Sequence, residues 1–149
     1  MKLSTFSTAG ILLFSLAIQA AASGRCVFNV PYGWDHNSTR WDGECREGYA
    51  DGLGVLKEFR DGTAKRFFFG RMKDGNLDFG VIDQPEGYMA GRFAQGHLEP
   101  SEDRQNFISA FDEAEKAATR AATRFREAGN AASARFYETK AKELREQMD

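Results

Sequence analysis

Two histidines, two cysteines and three prolines are all that the 149 residues hold of these types, and each scarcity closes off a class of chemistry. With His36 and His97 the only imidazoles and Cys26 and Cys45 the only thiols, no four-ligand set at finger-like spacing exists, so no structural zinc site is expected. No G-x-G-x-x-G opens a helix and no G-x-x-x-x-G-K-[ST] occurs, so nucleotide phosphates lack their two commonest cradles. Asp51, Asp61 and Asp74 do not fall at calcium-loop spacing. These readings lead to the expectation of no cofactor and no metal. Charge of one sign is also missing. Twenty basic and 22 acidic side chains leave a formal net charge of −2, which gives no long-range pull on nucleic acid or anionic lipid. No apolar run approaches the roughly 20 residues that cross a bilayer as a helix.

What is present begins at the N-terminus. Basic Lys2 precedes a mostly apolar core from Ile11 to Ile18, followed by the small residues Ala20-Ala21-Ala22-Ser23-Gly24. Charge, apolar core and small side chains in that order form a cleavable signal peptide over residues 1–24, cut after Ala22 or one or two residues later. The expected working protein is therefore periplasmic or secreted, with no transmembrane anchor in the mature chain. Arg25, where a small residue is needed before a lipid-bearing cysteine, argues against anchoring through Cys26. In an oxidising compartment Cys26 and Cys45 are expected to pair. Closing a loop of about 20 residues stabilises the fold by on the order of 3 kcal/mol in the chain-entropy picture.

Periodicity divides the remainder near Pro100. Residues 26–99 are rich in glycine and aromatics and carry Asp-Gly pairs at 42–43, 51–52, 61–62 and 74–75. Such pairs favour tight turns, with candidate strands around 53–59, 64–71, 77–83 and 88–93. Pro31 and Pro85 are expected in loops. Beyond Pro100, Phe107, Phe111, Ala114, Ala118, Ala121 and Phe125 recur at alternating spacings of four and three, which places them on one helical stripe. Ala134, Tyr137, Ala141, Leu144 and Met148 continue with a shifted phase after Gly129-Asn130. A break at Gly129, with Asn130 near the next N-cap, explains the shift; one long helix is the alternative. The fold class is α+β: an antiparallel meander of β-hairpins over 25–99, followed by a C-terminal helical hairpin over 100–149.

The first half also repeats weakly. Trp41-Asp42-Gly43-Glu44-Cys45-Arg46-Glu47-Gly48 aligns with Phe68-Phe69-Gly70-Arg71-Met72-Lys73-Asp74-Gly75 and with Met89-Ala90-Gly91-Arg92-Phe93-Ala94-Gln95-Gly96. The first copy runs on as Tyr49-Ala50-Asp51-Gly52-Leu53-Gly54-Val55, and this phrase resembles a MORN repeat. Trp41, Gly43, Gly48, Gly52 and Gly54 match the family pattern, while Cys45 and Met72 stand where the second aromatic belongs. His97-Leu98-Glu99-Pro100 leaves the pattern. The resemblance implies hairpins stacked into a twisted sheet that serves as a scaffold or attachment surface. On physical grounds alone, glycines at fixed places permit tight turns and let aromatic rings lie across the neighbouring backbone.

Candidate chemistry is sparse. His97, with Ser101, Glu99 and Asp103 nearby, is the one local cluster that a small envelope hydrolase could use, and hinge or cap roles are the competing reading. The run Lys65-Arg66-Phe67-Phe68-Phe69-Gly70-Arg71 places aromatics on both faces of a strand, so Phe67, Phe68 and Phe69 with Arg66 and Arg71 are candidate contacts for a protein partner. Burial under helices on one face and repeat stacking on the other is the competing reading. The favoured expectation is a non-enzymatic protein-protein interaction module, with an immunity or inhibitor-type protein as its narrower form. A structural homo-oligomer built through open sheet edges or the alanine-rich helices is the other alternative.

Overall fold

The computed structural model describes residues 25–149; the signal-peptide reading lies on residues 1–24, outside the described residues. Six strands follow one another as antiparallel neighbours in a single open meander: β1 (Thr39–Arg46), β2 (Tyr49–Arg60), β3 (Thr63–Lys73), β4 (Asn76–Gln84), β5 (Gly87–Ala94) and the short β6 (His97–Leu98). Two helices complete the chain, α1 (Arg104–Glu127) and α2 (Ala131–Glu146).

Four of the hairpin turns share one chemistry. Glu47-Gly48, Asp61-Gly62, Asp74-Gly75 and Gln95-Gly96 all have positive φ at both central residues, between 49° and 83°. That conformation matches the right-handed twist of the flanking strands, and glycine in the second place adopts it without a Cβ clash. Two of the four Asp-Gly pairs are therefore turns. The other two are corrected: Asp42-Gly43 lies inside β1, and Asp51-Gly52 lies inside β2 where the β1–β2 register shifts between Gly43 and Cys45. Nearby Glu47-Gly48 closes that hairpin instead.

The repeat glycines other than Gly52 divide into two sets. The turn glycines Gly48, Gly75 and Gly96 lie at one end of the sheet. The others form a row across it, because Gly43 pairs with Gly54, Gly54 with Gly70, Gly70 with Gly80 and Gly80 with Gly91. Rings occupy the space that side chains would take. A Cβ on Gly54 would collide with the Trp41 ring, and one on Gly80 would fall 2.7 Å from the Gly70 Cα and 3.1 Å from the Phe68 ring.

Alternation along the strands builds two cores. On one face Leu53, Val55, Phe67, Phe69 and Val81 meet the alanine stripe of α1 together with Tyr137, Ala141 and Leu144 of α2. The chain turns between the helices at a Schellman motif: the Asn130 amide donates to the Phe125 carbonyl (2.8 Å) and the Gly129 amide to the Arg126 carbonyl (3.0 Å), with Gly129 at φ 76°. Asn130 then caps α2 through its side-chain oxygen, which accepts from the Ser133 amide at 3.0 Å. The phase shift in the sequence is thus a helical hairpin.

On the other face Leu56, Phe68, Met72, Leu77, Ile82 and Phe93 are covered by the N-terminal arm, residues 25–38, through Cys26, Phe28, Val30 and Trp34. The arm crosses the turn end of the sheet and engages successive turn glycines. The Val27 amide donates to the Gly48 carbonyl (2.8 Å), the Asn29 amide to Gly75 (2.7 Å) and the Tyr32 amide to Gly96 (2.9 Å). Cys26 and Cys45 form a disulfide, with Cα atoms 6.0 Å apart, that ties the arm to β1.

Candidate functional site

The aromatic run proposed from sequence as a partner anchor is internal. Phe68 and Phe69 are fully buried and Phe67 is 8% exposed, so none of the three rings offers a docking surface. Phe67 and Phe69 lie under the helices, and Phe68 lies under the arm rather than against a further repeat. The arm is the reason: residues 25–38, outside the repeats, close the face that strand alternation left open.

The two arginines are also engaged within the fold. Arg66 lies opposite Glu58 in the β2–β3 pair and forks onto its carboxylate, Nε to Oε1 at 2.8 Å and a terminal nitrogen to Oε2 at 2.6 Å. Glu58 is 1% exposed, and it also accepts from the Asp35 amide (2.8 Å) and from Arg60 (3.1 Å). Arg66 further donates to the Gly33 carbonyl and lies over the Trp34 ring at 5.1 Å. Burial alone raises the Glu58 carboxyl, but these hydrogen bonds and the Arg66 charge outweigh it and hold its pKa below the ordinary value. The pair is a clamp on the returning limb of the arm. Arg71 joins Glu113 of α1 at 2.6 Å, binding sheet to helix.

His97 does not assemble a catalytic set. Its ring stacks on Tyr32 at 4.5 Å, Asp103 caps α1 by accepting from the Gln105 amide, and Ser101 accepts from the Asp103 amide. Among the described residues no hydrogen bond joins His97 to Glu99 or Asp103, and no group of three or more His, Cys, Asp or Glu could hold a metal ion. His36 donates from Nε2 to the Phe28 carbonyl at 3.0 Å and stacks on the Phe28 ring, a loop role.

Two features outside these contacts bear on binding. One is the outer edge of β5. β6 pairs only with Phe93 and Ala94, so residues 87–91 have no strand beyond them. This stretch, Gly-Tyr-Met-Ala-Gly, carries no charge, and its pairing with β4 runs without a register shift. Apolar side chains flank it on both faces: Tyr88 packs edge-on against Phe111 with Phe107 beside it, and Met89 lies on the arm face near Ile82 and His97. Tyr88, Met89 and Phe107 are each about two-fifths exposed. The other feature is a cleft of about 520 Å³ between the tip of the β2–β3 hairpin and the corner joining α1 to α2, lined by Phe59, Ala64, Phe125, Phe136 and Tyr137 with Lys57.

Comparison with family models, with curated proteins and with solved structures finds no match. Sequence reasoning named open sheet edges only as a route to self-assembly and did not single out β5, because no turn signal shows how little of that strand β6 pairs. The absence of charge over residues 87–91, against four charged residues in the eight of β1, was the available clue. No helix of the described residues is long and apolar enough to cross a membrane.

Proposed function

We propose that the chain is a non-enzymatic protein-binding module acting outside the cytoplasm, periplasmic or secreted, that takes an extended segment of its partner along the outer edge of β5. The observation that supports this most is the uncharged, unshifted edge at Gly87–Gly91 with exposed Tyr88, Met89 and Phe107 beside it. Unpaired backbone groups there suit a strand added from another chain, and the flanking apolar side chains suit pockets for its alternate residues. The Cys26–Cys45 disulfide fits an oxidising compartment. Neutralising an exported enzyme, as immunity and inhibitor proteins do, suits a module of this size that rests on a rigid sheet, and it rests on analogy of role rather than on any residue.

The test is capture from the exported fraction of its own cells with the mature, oxidised protein as bait and Met89→Lys as control. The lysine places a charge on the edge while leaving the cores untouched. One partner enriched by the unaltered protein and lost with Met89→Lys supports the reading. Equal recovery by both baits removes the edge from the account, and recovery of neither removes the binding class.

The same edge favours a second reading, a homo-oligomer in which two β5 strands pair across a two-fold axis. Light scattering over a tenfold concentration range separates the two, since a strict monomer ends the oligomer reading.

A further inference from the structure

The cleft at the α1–α2 corner holds a lysine whose surroundings are incomplete. Lys57 is half-buried on β2, and its ammonium lies over the faces of Phe125 (5.5 Å) and Tyr137 (5.9 Å). Among the described residues no carboxylate lies within salt-bridge distance of it, and no hydrogen-bond acceptor engages it. The charges that act on it are Asp42 and Arg124, and these already hold each other, with Nε to Oδ1 at 3.1 Å and a second bond to the Asp42 carbonyl. Burial pulls the Lys57 ammonium below the usual lysine range, Asp42 partly offsets this, and Arg124 adds to it.

Lys140 provides the internal control. It belongs to the same aromatic cluster, about 6 Å from the Phe67 and Phe136 rings, yet it is paired with Asp83 at 2.8 Å and Glu143 at 3.1 Å. Of two lysines set against one group of rings, one has its counter-charges and the other faces a cavity.

We infer that this cleft is a binding site for a small apolar monocarboxylate, whose alkyl or aryl body fills the aromatic wall and whose carboxylate meets the Lys57 ammonium. Its volume of about 520 Å³ falls in the range of small-ligand sites, and its walls are mostly apolar with one convergent cation, the usual composition of such a site. A cationic ligand is disfavoured because Lys57 itself occupies the ring faces that would receive it. A neutral apolar ligand would leave the ammonium without a partner and bury it further. Thr63 and Ser133 also line the cleft.

The inference is independent of the β5 edge, so its test runs on the full mature protein and on Met89→Lys alike. Octanoate is the probe, with octanamide as its neutral counterpart of the same shape, followed by chemical-shift titration of backbone amides. Octanoate is expected to shift Ala132 and Ser133 and to bind roughly tenfold or more tightly than octanamide, as a charge-assisted contact requires. Lys57→Met should bring octanoate down to the octanamide level with an unchanged spectrum elsewhere, and Phe136→Ala should weaken both probes. Met89→Lys should change neither. Equal affinities for the two probes, octanoate binding undiminished in Lys57→Met, shifts confined to other regions, or no binding of octanoate would each overturn the assignment.

Discussion

The sheet ends in two edges of opposite character. At β1 the register shifts beside Gly43, four of eight side chains are charged, and Asp42 and Glu44 are bound to Arg124 and Arg120 of α1. The disulfide at Cys45 fastens the arm to the same strand. At β5 the strand is regular and uncharged over residues 87–91, with apolar groups on both faces. Shifts, charges and cover are the devices by which proteins prevent strands from adding to an edge. Their presence at β1, set against an uncharged and unshifted stretch of β5 that is exposed over Gly87–Met89, is what points to β5 as the place for a partner.

The largest effect is expected from loosening the arm at its middle, which would expose the second core without touching either edge. Arg66→Ala leaves the Glu58 carboxylate buried with only the exposed Arg60 and one amide as partners, and should cost about 3–5 kcal/mol in urea unfolding. A loss under about 1 kcal/mol would show that the clamp does not hold the arm. The sign of the pH dependence follows from the same group. Because the folded pKa of Glu58 lies below its unfolded value, its stabilisation is full above the ordinary carboxylate range and is lost as pH falls through the depressed folded value. Glu58→Gln should remove that part of the acid-induced loss, read from midpoints between about pH 2 and 6.

Breaking the closed edge comes next. The double variant Cys26→Ser, Cys45→Ser should lose on the order of 3 kcal/mol. The Val27 and Ala50 amides, which bond across the arm junction beside the disulfide, should lose exchange protection before Tyr32, which bonds at Gly96. Uniform loss along the arm would mean that the turn glycines contribute little by themselves. Gly80→Ala tests the row that lets the sheet reach both edges at this thickness. The added methyl meets the Gly70 backbone and the Phe68 ring, and overpacking of this kind costs about 1–3 kcal/mol. Smallest in stability is Met89→Lys at the open edge, expected within about 0.5 kcal/mol of the unaltered protein by thermal unfolding. A larger loss would show that Met89 belongs to the core.

Periodicity made the helical half legible down to its corner, because a phase shift of the apolar stripe at Gly129-Asn130 has few physical causes. The sheet was legible as hairpins, and the aligned glycines Gly48, Gly75 and Gly96 do prove equivalent, each the second residue of a turn. Which Asp-Gly pairs turn was not legible, since Asp51-Gly52 satisfies a register shift with the same backbone freedom that a turn uses. The tether of the N-terminal arm to the start of the sheet was legible in Cys26 and Cys45, but its cover over a whole face was not, because its inward residues, Cys26, Phe28 and Val30, alternate over too few positions to distinguish a strand from a loop. That omission also misplaced Phe68, whose cover comes from this non-repeat segment. Lys57 and Glu58 look alike in sequence, two charges in a strand, and only the opposite strand and the helices distinguish the paired one from the unpaired one.

The central claim is that a partner strand lies along β5, and amide hydrogen exchange on the partner-bound protein tests it most directly. The account predicts new protection concentrated at residues 87–91, with β1 unchanged. Protection appearing instead along β1 or over the helical hairpin, with residues 87–91 exchanging as in the free protein, would contradict it.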